Sequence, residues 1–416
     1  MIKELQEYRH WCWNCFRDSM CKHVFTWHVK NADYDENCPT LARYKFDAYA
    51  GQGKMGDLAR AMIEGEIKWS DKLLEVMYQD PLCGACDYCC GRVAEMQPAQ
   101  VMQAMRAQAI KDGMSPPAGF KTFLDDLREY LNPYKKHDAQ RTNWIKGLPA
   151  ELADAIPETK VGSRTKTLLY VGCFPLREPA AEKMAQDAAT ALIKADVDVG
   201  ILGEKERCCG NPSLRMGDLD SFKAFAKENI KMFNEMGVKK LVTICPFCYS
   251  TFKRDYPDVG DKMNFEVVHI LEMVDDLIKE GKLKLTRPLN MTVTYHDPCH
   301  LGRLSGYGIS GTDDFSGKYQ EPRSIINSLP GVNLVEMYRT KDDSWCCGAG
   351  SWLRNGYIDL AQWTADKRIE EAETTGAEAL VTYCPHCEEN LGEAIQRRGN
   401  GMKMYDLMDL VLQALE

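Results

Sequence analysis

Residues 241–248 read LVTICPFC and residues 380–387 read LVTYCPHC, a short β-branched run that breaks at a proline between two cysteines, written twice in one chain. Outward from each copy the same neighbours recur. Upstream lie RCCGNPS (207–213) and WCCGAGS (345–351), and before those TLLYVGCFPLR (167–177) and MTVTYHDPCHLGR (291–303). Repetition on this scale marks a duplicated unit. Between CCG and CPxC each copy holds an amphipathic stretch, LDSFKAFAKENIKMFNEMG (219–237) or IDLAQWTADKRIEEAETTG (358–376), apolar at helical spacing and closed by a glycine suited to a helix end. This strand and helix alternation predicts an α/β class with two duplicated domains of mostly parallel sheet, their cysteines on loops at strand and helix ends.

Eighteen of the 416 residues are cysteine. The first repeat carries Cys173, Cys208, Cys209, Cys245 and Cys248, and the second Cys299, Cys346, Cys347, Cys384 and Cys387. The other eight, Cys12, Cys15, Cys21, Cys38, Cys83, Cys86, Cys89 and Cys90, form an N-terminal block. The N-terminus, MIKELQEYRHW, is charged where a signal peptide would be apolar, and no run is long enough to span a bilayer, so the expected location is the cytoplasm. A compartment that keeps thiols reduced excludes a disulfide framework and leaves metal or redox chemistry. The net charge of −9 argues against nucleic acid or an anionic membrane as partner, so any peripheral membrane contact would run through another subunit.

In the N-terminal block, Cys83-x2-Cys86-x2-Cys89 opens like a bacterial ferredoxin run, in which three close thiolates bind one cubane and a distant cysteine before proline supplies the fourth ligand. Cys38, before Pro39, is that partner. The matching set is Cys12-x2-Cys15-x5-Cys21, with Cys90 as its fourth ligand by the crossed pairing of two-cluster ferredoxins. Five residues separate Cys15 from Cys21 where the usual run has two, and Cys90 adjoins Cys89. The competing assignment is structural zinc, which Cys-x2-Cys pairs also build. His10, His23 and His28 are expected at the surface or beside the ligands. The GQGKMG at 51–56 matches a dinucleotide fingerprint but lacks the preceding strand and the βαβ unit, so its glycines are expected to open the helix joining the two cysteine groups.

The expected division is a mostly helical ferredoxin-like domain with two [4Fe–4S] clusters over 1–112, an ordered linker with an amphipathic helix (FKTFLDDLREYL, 120–131) over 113–166, and the two repeats over 167–290 and 291–416. An irregular segment, GRLSGYGISGTDDFSGKY (302–319), lengthens the second repeat, and loops of such length are often functional.

The spacing of a lone cysteine, CCG and CPxC, found twice with HDPCHLGR opening the second copy, resembles the CCG domain of heterodisulfide reductases, from Thr167 to about Asp406. With the N-terminal block, the chain resembles the HdrD-type subunit, or a fusion of the HdrC and HdrB types. The resemblance implies a noncubane [4Fe–4S] cluster on each five-cysteine set, the two forming a facing pair. It also implies reductive cleavage of a disulfide, with electrons arriving through the cubanes from flavin- or iron–sulfur-containing partner subunits, since no flavin or nucleotide motif is present. His296 and His300, flanking Cys299, are the candidate catalytic residues, able to donate protons or hydrogen bonds near neutral pH or simply to stabilise the loop or a cluster sulfur. Arg177, Arg303 and Arg323 could face anionic substrate groups or serve in ordinary ion pairs. The alternative function is an electron relay without a substrate, as in complexes such as class II benzoyl-CoA reductase.

Overall fold

The computed structural model describes residues 2–136, 138–163, 165–177, 179–306 and 317–416; most of the irregular segment at 302–319 lies outside the described residues. Among the described residues, eight short strands form two sheets. β1 (Thr167–Tyr170), β2 (Val199–Gly200), β3 (Lys240–Thr243) and β4 (Glu266–His269) make the first, and β5 (Met291–Tyr295), β6 (Val332–Leu334), β7 (Ala379–Thr382) and β8 (Lys403–Asp406) the second. All pairings are parallel, and the orders β2-β1-β3-β4 and β6-β5-β7-β8 are the same topology twice. This is the predicted α/β fold.

Parallel strands of one sheet need crossover connections, and the amphipathic stretches supply those from β2 to β3 and from β6 to β7 as helices Leu219–Met236 and Ile358–Glu373. The first is capped by Asp218, whose side chain accepts from the Ser221 N–H at 3.2 Å, and is closed by Gly237 at φ +74°. One continuous apolar core runs through both repeats, from Leu168 and Val242 in one to Leu380 and Val381 in the other. The two modules therefore share their interior. Among the described residues no helix is long and apolar enough to cross a membrane.

The N-terminal region is helical, as expected, with a continuous helix over Gln52–Ala59 and Arg60–Glu64 and further helices Asp71–Tyr78, Ala85–Ala94 and Pro98–Lys111. It is fastened to both modules by Arg106, which is wholly buried. Its guanidinium donates to the carbonyls of Met77, Asp80 and Arg215 at 2.6–3.1 Å and to the hydroxyl of Ser351. Arg215 belongs to the first repeat and Ser351 to the second. Gly217, at φ +94°, allows this approach, since a Cβ there would lie 2.5 Å from the Arg106 backbone.

β4 ends on His269, which caps helix Ile270–Lys279 by accepting the Leu271 N–H at Nδ1. Burial pushes its imidazole down to about 3. A base held neutral in the fold contributes stability in full above its unfolded value of about 6.5 and loses it as pH falls toward 3. The expected loss approaches about 1.4 kcal/mol per pH unit below that value. Urea unfolding between pH 7 and 5.5 should show this slope in the native chain and a flatter one in His269→Asn, which keeps a capping acceptor; equal slopes would refute the assignment.

Candidate metal centres

The strand order decides where the cysteines meet. In an open parallel sheet a crevice forms beyond the carboxyl ends of the two strands at which the order reverses, here β1 with β3 and β5 with β7. Cys173 follows β1 and Cys245 follows β3; Cys299 and Cys384 take the same places in the second sheet. Cys245 and Cys384 are helix N-caps followed by proline, a position whose unpaired N–H groups favour a thiolate. The CCG loops bring the adjacent pairs. In each, a glycine at positive φ donates its N–H to the first cysteine sulfur, Gly210 to Cys208 at 3.4 Å and Gly348 to Cys346 at 3.3 Å.

All ten of these cysteines are buried. Cys173, Cys208, Cys209, Cys245 and Cys248 line one cavity. In the second set, Cys346 hydrogen-bonds with Cys299 and Cys347, and Cys387 with Cys347 and Cys384. Cys384 also feels the charge of Cys245, so the two sets meet across the module boundary. The structure thus gathers each predicted five-cysteine set.

The N-terminal cysteines assemble less symmetrically. Cys12 neighbours Cys15, and Cys90 is electrostatically close to both Cys15 and Cys21. Cys86 is close to Cys83 and Cys38, while Cys21 lies near Cys38 as well as Cys15. Cys83 turns its thiol toward Cys346, and that hydrogen bond holds it down to about 7. The glycines at 51–56 have a use that the sequence did not disclose. A Cβ on Gly51 would stand 3.0 Å from Cys86 Cβ and 3.3 Å from Cys21 Cβ, and one on Gly56 3.2 Å from Cys15 Sγ, so they let a helical turn lie against the ligand groups. Beneath them Lys54 is fully buried, paired with Asp80 and donating to Thr40 Oγ1 at 3.1 Å, close to Cys38.

The donor set fits iron–sulfur clusters. Burial lifts the thiols of Cys12, Cys21 and Cys89 to about 12 and that of Cys90 higher still, so these groups ionise only against a metal that offsets their desolvation. Five sulfurs in each CCG set exceed the four that a zinc ion takes.

Among the histidines, the His10 ring contacts Asn14, that of His23 faces Asp35 at 3.7 Å and that of His28 faces Asp343 at 2.7 Å, while the His23 carbonyl accepts from Cys89 Sγ at 3.9 Å. Arg303 donates to the carbonyls of Cys83, Asp342 and Ser344, Arg323 grips Asp297 at 2.8 and 2.9 Å, and Arg177 pairs with Glu389 at 2.5 Å. These guanidinium groups are engaged within the protein. His296 has a ring nitrogen within 4.8 Å of the Cys347 and Cys387 sulfurs. His300 stacks on Phe247 with ring centroids 3.9 Å apart, and its Nδ1 lies 2.7 Å from Ser250 Oγ, both in the first module.

Sequence reasoning missed His386, the variable residue of the second CPxC. It hydrogen-bonds Cys245 of the opposite module and packs against Phe174, Phe247 and Trp352. Trp352 also escaped notice; it and the preceding Ser351 hold left-handed backbone conformations, and its indole joins His386 in the wall of the first cavity. The repeat itself could have flagged the histidines, because their counterparts differ in kind. His296 stands where the first module has Tyr170, His300 where it has Phe174, and His386 where it has Phe247. All three imidazoles beside the five-cysteine sets come from the second module.

Known proteins place this architecture. The family described as the CCG cysteine-rich domain matches residues 167–253 and 293–392. The HdrD-type subunit of the dihydromethanophenazine:CoB–CoM heterodisulfide reductase of Methanosarcina mazei is 33% identical over 80% of this chain and 76% of its own length. An EtfAB:quinone oxidoreductase of Syntrophomonas wolfei is 30% identical over 82% of this chain and 47% of its own, and a fumarate reductase (CoM/CoB) subunit of Methanothermobacter marburgensis 28% over 81% and 61%. A crystal structure of a hypothetical protein from Helicobacter pylori shares the fold, with TM-score 0.50 and 11% identity over 93% of this chain and 69% of that one. The chain belongs to the HdrD-type heterodisulfide reductase family of CCG-domain iron–sulfur proteins.

Proposed function

We propose that this subunit receives electrons from a partner redox subunit and delivers them to a disulfide, or a similar two-electron acceptor, at the junction of its CCG modules. Cys12, Cys15, Cys21 and Cys90 would hold one cubane, and Cys38, Cys83, Cys86 and Cys89 a second. The two five-cysteine sets would each hold a noncubane [4Fe–4S] cluster, and the chain would bind no flavin or nucleotide. When bound, these clusters supply one-electron steps and iron able to take up sulfur. The observation that supports the reading is the continuity of the cysteine groups: Cys83 abuts Cys346, and the second set in turn meets the first at Cys384 and Cys245.

Cleaving a disulfide consumes two electrons and two protons and yields two thiols. At the junction Phe174, Phe247 and Trp352 exclude water, while His300 and His386 place ring nitrogens that can orient or protonate a departing sulfur. Partners would be flavin- or iron–sulfur-containing subunits of a cytoplasmic complex, which could itself reach a membrane, with a small thiol or disulfide as substrate. Anaerobic oxidation of the protein with low-molecular-weight thiols present should develop a paramagnetic signal that depends on the thiol. Its absence for every thiol tried would assign the chain to an electron relay.

A further inference from the structure

The sequence offers His296 either as a donor of protons or hydrogen bonds or as a residue that stabilises a cluster sulfur, and its surroundings bear on that choice. Its Nδ1 lies 3.2 Å from Arg368 Nε. A guanidinium carries only donors and stays protonated, so that contact makes Nδ1 an acceptor and fixes the single ring proton on Nε2. Arg368 cannot turn away. It is fully buried, with Nη1 donating to Glu371 at 2.8 Å and to the Arg339 carbonyl at 3.0 Å, and Nη2 to Ser344 Oγ at 3.2 Å. Glu371 is held in turn by Arg339, through its guanidinium at 2.9 and 3.0 Å and its backbone N–H at 2.6 Å.

The remaining ring nitrogen, Nε2, is buried and has no hydrogen-bond partner among the described residues, sulfur included. The ring shares its pocket with the sulfurs of Cys347 and Cys387, which lie within 4.8 Å of a ring nitrogen. With Nδ1 occupied and Nε2 carrying the proton, the ring has no lone pair for iron. It is built to donate.

We propose that His296, locked in one tautomer by Arg368, is a fixed hydrogen-bond donor to the Cys347 thiolate and thereby raises the reduction potential of the centre in the second module relative to its potential without that bond. Hydrogen bonds to cluster sulfurs draw charge from them and favour the reduced, more negative form. The first module has Tyr170 at this position, and its hydroxyl donates to the Arg207 carbonyl, so its own strand gives that module's sulfurs no such bond. His296 is thus a positioning residue for electrons, distinct from any group that touches a substrate. The inference rests on a cluster occupying the second five-cysteine set, and not on what that cluster reduces.

The test is a potentiometric titration, followed by electron paramagnetic resonance, of the native protein, His296→Val and His296→Gln in the full chain, each with its iron and sulfide content measured. His296→Val removes the ring and its N–H; His296→Gln keeps an N–H. The expected result is full iron in both variants and one midpoint displaced downward in the valine variant. The displacement should match about a tenfold change in the ratio of reduced to oxidised centre at fixed poise, about 59 mV for one electron. Glutamine should restore part of it. Loss of iron from both variants would overturn the proposal by making His296 a ligand. Unchanged midpoints with full iron would overturn it while leaving the cluster assignment intact, and a native protein without iron in the second set would instead refute the reading beneath it.

Discussion

Replacing Cys208 by serine is expected to remove about a quarter of the iron, from about sixteen atoms per chain to about twelve, together with the thiol-dependent signal, while the spectra of the N-terminal centres persist. The reasoning is local. Cys208 is buried, accepts the Gly210 N–H and hydrogen-bonds with both Cys173 and Cys209, so it lies at the centre of the first five-cysteine set. Its thiol partners belong to its own module, whereas Cys346, its counterpart in the second, touches Cys83 of the N-terminal block. Cys346→Ser should therefore perturb an N-terminal centre as well as its own. Iron analysis and low-temperature spectra of the two variants side by side decide the matter: equal effects, or no loss of iron from Cys208→Ser, would sink the assignment.

The largest effect on stability is expected at Arg106. Arg106→Met preserves much of the side-chain volume but leaves the carbonyls of Met77, Asp80 and Arg215 without their donors in a dry interior. Burial already holds this guanidinium down to about 10, a sign of how much its hydrogen bonds must offset. Breaking such a network from one side typically costs about 3–5 kcal/mol. Because the three carbonyls and the Ser351 hydroxyl belong to the N-terminal region and to both modules, the loss should also loosen the N-terminal region from the rest. Limited proteolysis of the variant should cut ahead of the first module sooner than in the native protein. A thermal midpoint and a cleavage pattern identical to the native ones would show that the packing around helix Pro98–Lys111 suffices.

Much of the fold was legible because duplication repeats its own evidence. LVTI and LVTY became β3 and β7 with the flanking residues Lys240 and Ala379, and the two amphipathic stretches became the predicted helices nearly to the residue. The five-cysteine sets were equally plain, since residues that follow neighbouring parallel strands meet at the crevice beyond their carboxyl ends. What stayed hidden depends on contacts across the chain. Arg106 looks like any basic residue on an amphipathic helix, and only the tertiary structure reveals four partners converging on it. His386 reads as the spacer of a CPxC turn, and its bond to Cys245 joins residues 141 positions apart (386 minus 245). The glycines at 51–56 resembled a nucleotide loop because close approach to a phosphate and close approach to a cysteine make the same demand on the backbone.

The placement of all three of these histidines in one module has an evolutionary consequence. Two identical copies of a single such unit, associated about a two-fold axis, would be obliged to carry the same residue at both equivalent seats, either imidazole facing imidazole or ring facing ring. Joining the copies in one gene lifts that obligation, so one half can specialise as the apolar wall and the other as the polar one. The polarity of the proposed electron path would then be inherited with the chain itself, and a variant chain that restores symmetry, with tyrosine and phenylalanine on both sides or histidine on both, would erase it without touching a single cysteine.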